Sequence, residues 1–209
     1  MKEVKDFIAR EKLIPVVKLD DAADTLPLME ALKAGGIHIA EITFRTACGA
    51  EAIAIASNNC GDMLIGAGTI ISAAQAEKAI SAGAKFIVGP GYSQGVADIC
   101  RKNGIMYLPG CVTPTEIMVA IENGIDIIKF FPAESFGGLN AIRAISAAFP
   151  ELRFLPTGGI SAANIKEYLS FNKVFACGGS WMVKDSLIKS RDFSTITRLS
   201  REAKELIGL

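Results

Sequence analysis

Lys129 stands in the stretch DIIKFFPAE, residues 126–134, with Ile127, Ile128, Phe130 and Phe131 around it. Lysine is almost never fully buried without a partner. Burial strips water from an ammonium and so favours the neutral amine. A neutral lysine amine attacks carbonyl carbon and forms a Schiff base. Once protonated, that imine is an electron sink for breaking an adjacent C–C bond. The proton transfers need a carboxylate within reach, and EITFRT, residues 41–46, supplies Glu41, with Arg45 four residues further on. A guanidinium fork suits a substrate carboxylate. Two Gly-Gly pairs complete the set: Gly158–Gly159 in PTGGIS, and Gly178–Gly179 in CGGS, where Ser180 follows. Their backbone N–H groups, with a helix start expected near Ser161, would face an anion such as a phosphate.

These residues need a frame that brings them together. A phrase of helix, glycine and short apolar run recurs along the chain, as in ISAGAKFIVGP and IENGIDIIKFF. Gly61, Gly83, Gly104 and Gly124 lie 22, 21 and 20 residues apart. Glycine just past a helix end accepts the left-handed backbone that caps it. The apolar runs that follow read as buried parallel strands. Eight are expected, at 14–18, 38–44, 63–68, 85–89, 105–108, 126–130, 153–156 and 173–177. Eight βα units with right-handed crossovers close into a barrel. The fold class is therefore an α/β, (β/α)8 TIM barrel spanning residues 1–209 as one domain. An additional N-terminal helix, marked by Val4, Phe7, Ile8 and Leu13 at helical spacing, would cover the bottom. A doubly wound open sheet is the other architecture this pattern allows.

In such barrels the active site lies at the C-terminal ends of the strands. The second strand carries Glu41, Thr43 and Arg45 on one face by its period of two. The third ends at Thr69, the fourth at Pro90, and the sixth holds Lys129. The seventh runs into Thr157, Gly158 and Gly159, the eighth into Gly178, Gly179 and Ser180. Each residue also has a purely structural use. Glu41 and Lys129 would serve as a buried ion pair, Arg45 as a solvated loop charge, Thr69 and Thr157 as helix caps, and the glycine pairs as tight turns. An acid, an amine and a guanidinium aimed at one barrel mouth argue for chemistry.

Composition removes other classes. Lys plus Arg equals Asp plus Glu at 22 each, so there is no basic footprint for nucleic acid and no polybasic membrane patch. No run approaches the ~18 apolar residues of a membrane span. The charged first segment is no secretory signal, and the chain reads as cytoplasmic. Five scattered cysteines without a C-x-x-C pair argue for reduced thiols. A single histidine, His38, makes a metal site improbable and reads as a strand-start residue. The dinucleotide fingerprint and the P-loop are absent, so no cofactor is expected.

In order along the chain, EITFRT, GAGT, IKFFPAE, PTGGIS and GGSW resemble the bacterial 2-keto-3-deoxy-6-phosphogluconate (KDPG) aldolase family, which includes 4-hydroxy-2-oxoglutarate (KHG) aldolase. KFFPAE together with EITFRT carries the resemblance; GAGT alone is weak. It implies a Schiff base on Lys129 and Glu41 as general base. It puts Arg45, Thr69 and Thr157 at the pyruvyl carboxylate, Phe131 in the pyruvyl pocket, and Pro90 among the substrate-binding residues. Gly158, Gly159, Gly178, Gly179 and Ser180 would bind phosphate. The implied substrates are 2-keto sugar acids, with pyruvate as product, and the family is typically trimeric. Other readings are an aldolase for the C4 epimer, 2-dehydro-3-deoxy-6-phosphogalactonate, a phosphosugar isomerase, and a non-catalytic sugar-phosphate sensor.

Overall fold

Strands and helices alternate along residues 1–208, which the computed structural model describes. The order is α1 (Lys2–Glu11), β1 (Leu13–Val17), α2 (Thr25–Ala34), β2 (Ile39–Thr43), α3 (Gly49–Asn59), β3 (Leu64–Gly68), α4 (Ala73–Ser81), β4 (Phe86–Val88), α5 (Gln94–Lys102) and β5 (Met106–Leu108). It continues with α6 (Pro114–Glu122), β6 (Ile127–Phe130), α7 (Gly138–Ser146), β7 (Arg153–Pro156), α8 (Ile165–Ser170), β8 (Cys177–Gly179), α9 (Asp185–Lys189) and α10 (Phe193–Ile207). Gly83, Gly104 and Gly124 take φ of 104°, 65° and 75° just past α4, α5 and α6, where an L side chain would be strained. Gly61 does not take a positive φ.

All strand pairs are parallel, and they close the ring. One ladder runs β5-β4-β3-β2-β1-β8 and a second joins β6 to β7. Two seams connect them. The bridge between Gly110 and Lys129 links β6 to the segment after β5, and bridges Phe154–Val174 and Thr157–Gly178 link β7 to the β8 segment. The sheet is thus a (β/α)8 barrel and not an open doubly wound sheet. Strand burial is nearly continuous, as expected for strands covered on both faces. At the bottom, α1 buries Ile8, and its Lys5 side chain bonds Asp126, the residue before β6. Leu13, expected on this helix, is instead the first residue of β1.

Two further expectations need correction. The sequence places the eighth strand at 173–177, but it lies at Cys177–Gly179. Val174 makes only an isolated bridge, while the ladder to β1 starts where Cys177 N–H donates to Lys12 O at 2.8 Å. Gly178 and Gly179 are therefore strand residues, not a turn. A Cβ on Gly178 would stand 2.4 Å from Thr157 Oγ1, and one on Gly179 2.2 Å from the Trp181 ring. Close approach, not backbone freedom, demands glycine there. The helix expected near Ser161 starts at Ile165; before it, Ser161 N–H donates to Asn164 Oδ1 at 2.8 Å in a turn.

Candidate active site

Glu41 lies in the middle of β2, paired with Val16 on β1 and Gly66 on β3. Its side chain is fully buried and rises inside the barrel toward Gly68. A Cβ on Gly68 would fall 2.0 Å from Glu41 Oε1, so the glycine makes room for the carboxylate. From the opposite wall, β6 projects Lys129, only 3% exposed. Lys129 Nζ stands 3.7 Å from Glu41 Oε1 and 4.8 Å from the centroid of the Phe131 ring. At 3.7 Å the pair attracts by charge without a hydrogen bond. Both Glu41 oxygens are buried and take no hydrogen bond from any described residue. A buried carboxylate without hydrogen bonds is costly to stability and free to accept a proton from a substrate hydroxyl or a water.

Above this pair opens a cavity of about 300 Å³ at the C-terminal ends of the strands. Lys129 and Phe131 form part of its floor, with Arg45, Thr69, Pro90 and Thr157 around them. Gly158, Gly159, Gly178, Gly179 and Ser180 line another stretch of its wall. Every catalytic, substrate-binding or phosphate-binding residue expected from the sequence is therefore in this cavity, except Glu41, which lies beneath it behind Lys129; Thr43 and Ser161 do not line it. Arg45 is exposed on the turn after β2, and its Nε donates to Thr69 Oγ1 at 3.3 Å. Thr69 holds φ at +58°, an unusual conformation for a β-branched residue, and strained backbone concentrates at functional positions. Neither threonine caps a helix: Ser72 caps α4, and Thr157 Oγ1 reaches only its own strand's Leu155 O, at 3.5 Å.

The Gly158–Gly159 turn takes φ of +93° and +82°. Carbonyls of Thr157 and Gly158 accept from the Ala133 and Glu134 amides at 2.8 and 3.1 Å. Outside the strand ladders, the amides of Gly158, Gly159 and Ser180 donate to no backbone acceptor among the described residues. Successive free N–H groups of this kind form an anion-binding concavity.

Four cavity residues escaped the sequence reading: Val16, Lys18, Ile160 and Asp185. Lys18 follows β1, so the strand-end rule that found Thr69 and Pro90 would have found it too. Its Nζ sits 3.0 Å from Asp20 and 3.2 Å from Asp185. Those hydrogen bonds, to Asp20 first and then Asp185, hold its ammonium above the usual lysine range. Among the described residues no cysteine lines the cavity. Burial pushes the Cys100 and Cys111 thiols up to about 12. No group of three or more His, Cys, Asp or Glu side chains among the described residues is arranged to hold a metal ion. No described helix is long and apolar enough to cross a membrane.

Comparison with known proteins gives the same picture over nearly the whole chain. A 2-dehydro-3-deoxy-phosphogluconate aldolase of Treponema pallidum is 43% identical over 209 residues, covering 100% of both chains. The KHG/KDPG aldolase of Escherichia coli K12 is 37% identical, covering 92% of this chain and 91% of its own. Among solved structures, KDPG aldolase from Legionella pneumophila, with pyruvate captured as a covalent carbinolamine, superposes with a TM-score of 0.91 at 39% identity, covering 95% and 96% of the two chains. Residues 4–199 match the sequence pattern of the KDPG and KHG aldolases. With a buried lysine and glutamate under the mouth of a parallel barrel, and this likeness along its length, the chain belongs to the KDPG and KHG aldolase family.

Proposed function

We propose that the protein is a Schiff-base aldolase that cleaves KDPG to pyruvate and glyceraldehyde 3-phosphate, and KHG to pyruvate and glyoxylate. One observation carries the residue assignment: Lys129 Nζ and Glu41 Oε1 stand 3.7 Å apart, both buried, with Lys129 at the floor of the cavity and Glu41 beneath it. The Lys129 amine attacks the C2 carbonyl of the substrate. Glu41 shuttles the protons that turn the carbinolamine into the iminium and release water. It then takes the C4 hydroxyl proton. The C3–C4 electron pair flows into the iminium, and the aldehyde leaves. The enamine that remains is protonated at C3, and water hydrolyses the imine to free pyruvate and Lys129. Charge on Glu41 and the Phe131 ring face both stabilise the cationic iminium.

Arg45 grips the C1 carboxylate, held toward the cavity by its bond to Thr69. Pro90, Phe131 and Thr157 enclose the pyruvyl end. The turn amides at Gly158 and Gly159, with Gly178, Gly179 and Ser180, receive the phosphate of the sugar acid. Residues 1–209 act as one domain, with three copies assembling in the cytoplasm. Light scattering on the purified protein tests the trimer, and a monomer mass would overturn it.

Borohydride reduction in the presence of pyruvate tests the chemistry. Inactivation with a reduced pyruvyl adduct on the Lys129 peptide is expected. An adduct on Lys18 or Lys85 would sink the assignment. Absence of KDPG cleavage, with no adduct on any lysine, would favour a phosphosugar isomerase or a sensor.

A further inference from the structure

KFFPAE ends on Glu134, a residue that the chemistry above leaves unused. It lines no part of the cavity. Its backbone N–H donates to Gly158 O at 3.1 Å, and its neighbour's, Ala133, to Thr157 O at 2.8 Å. The side chain of this exposed residue then lies against the same turn. A Cβ on Gly159 would stand 2.6 Å from Glu134 Cβ and 2.3 Å from its Cγ. Further out, Glu134 Oε1 accepts a hydrogen bond from the Tyr168 hydroxyl. Tyr168 belongs to α8 and is 2% exposed. Gly138, with φ of +58°, leaves room for that bond: a Cβ there would meet Tyr168 Oη at 2.9 Å and Glu134 Oε1 at 3.0 Å. From the other side, Asn164 Nδ2 donates to Gly159 O at 3.0 Å.

The carbonyls of Thr157, Gly158 and Gly159 are thus all engaged, which leaves the Gly158 and Gly159 amides for the cavity. A turn of two glycines has no side chains to fix it, and glycine has the widest backbone freedom of any residue. Something outside the turn must hold it, and a carboxylate alone is a poor choice beneath an anion site. Tyr168 supplies the reason for an acceptor there. The hydroxyl anchors the Glu134 side chain and disperses its charge, while the buried ring ties the turn to α8.

We propose that Glu134 and Tyr168 form a strut that positions the Gly158–Gly159 turn, and that this strut sets the enzyme's preference for phosphorylated over unphosphorylated 2-keto acids. The inference rests on the aldolase reading, in which that turn receives the phosphate. Neither residue touches substrate, and the pyruvyl end depends on neither.

Kinetics on two substrates test it. Tyr168→Phe keeps the ring and removes the hydroxyl; Glu134→Ala removes the strut's middle. Each should raise KM for KDPG about tenfold, the effect of weakening one amide contact to a charged group. Turnover of bound KDPG, and kcat/KM for KHG, should stay within about twofold. Glu134→Gln keeps an acceptor of the same length for Tyr168 and should restore KM for KDPG to within about threefold of wild type. A strut that merely stabilised the fold would lower both substrates together in Tyr168→Phe and Glu134→Ala, and that result overturns the proposal. So does an unchanged KM for KDPG in both variants, or a Glu134→Gln protein as impaired as Glu134→Ala. A wild-type enzyme that releases pyruvate from KHG but not from KDPG would sink the substrate reading itself, and the strut's role with it.

Discussion

Gly68→Ala asks whether the rate depends on where the Glu41 carboxylate stands, beyond its mere presence. The added Cβ would lie 2.0 Å from Oε1, 2.6 Å from Cγ and 2.7 Å from Cδ. Ordinary contact between carbons begins near ~3.5 Å, so the carboxylate must move by roughly 1 Å or more. Gly68 sits in β3 with an ordinary extended backbone, so the alanine itself introduces no backbone strain. A displacement of about 1 Å of a reacting group costs on the order of 100-fold in rate, or ~2.7 kcal/mol of barrier. Crowding one methyl into a packed interior costs about 1–3 kcal/mol of stability, which lowers the melting midpoint by a few degrees. The assay is pyruvate release coupled to lactate dehydrogenase, run well below that midpoint. We expect kcat to fall about 100-fold for KDPG and KHG alike. Borohydride trapping of pyruvate on Lys129 should still occur, since the amine is untouched, but more slowly, since Glu41 serves the dehydration that forms the iminium. A folded Gly68→Ala protein turning over within about threefold of wild type would refute the positional argument.

Glu41→Gln should keep the fold and lose roughly 10²–10⁴-fold in turnover; an unfolded variant would make the residue a structural partner of Lys129, and near-normal turnover would remove it from the mechanism. Arg45→Lys should lower kcat/KM about ten- to a hundred-fold on both substrates, because an ammonium cannot grip two carboxylate oxygens. Ser180→Ala should impair KDPG and spare KHG. If Arg45→Lys impairs only the phosphorylated substrate, Arg45 belongs to the phosphate end. Iodoacetamide at pH 8 should label half-buried Cys48 well before Cys100 and Cys111, whose thiols burial pushes up to about 12; mass spectrometry of the peptides reads the order, and early labelling of Cys100 would contradict the packing.

The barrel was legible because its signal repeats: glycine caps and short apolar runs recur at a nearly constant spacing, and seven of the eight strands lie within a residue or two of their expected places. The eighth was displaced because glycine reads locally as a breaker. Gly178 and Gly179 are strand residues for a non-local reason, the approach of Thr157 and Trp181, which no window of sequence contains. The same limit explains Ser161, where Asn164 holds a turn that delays the helix. Lys129, Glu41 and Arg45 were legible because a charge among apolar neighbours, or at a strand end, stands out against its surroundings. Lys18 lay within reach of the strand-end rule, but Asp185 did not, since its meaning arises only when β1 and the segment after β8 meet over 160 residues apart in sequence. Glu134 was visible as a motif letter only; its contact with Tyr168 joins segments 34 residues apart.

The division of the ring into two ladders has a consequence for how damage would show itself. Lys129 and Thr157 ride on or just beyond the β6–β7 pair, whereas Glu41, Arg45 and Thr69 belong to the six-stranded piece. The Lys129 amine and the Glu41 carboxylate therefore face each other across two joints, each closed by isolated bridges and not by a continuous ladder. The separation between Lys129 and Glu41, the proposed nucleophile and base, is a gauge of how tightly those joints shut. A substitution at Gly110, which pairs with the Lys129 backbone, or near Val174 on the other joint, that eased a joint by a fraction of an ångström would leave the molecule folded and still slow its turnover. In this barrel, mechanical looseness would be read out as poor chemistry before it was read out as poor stability.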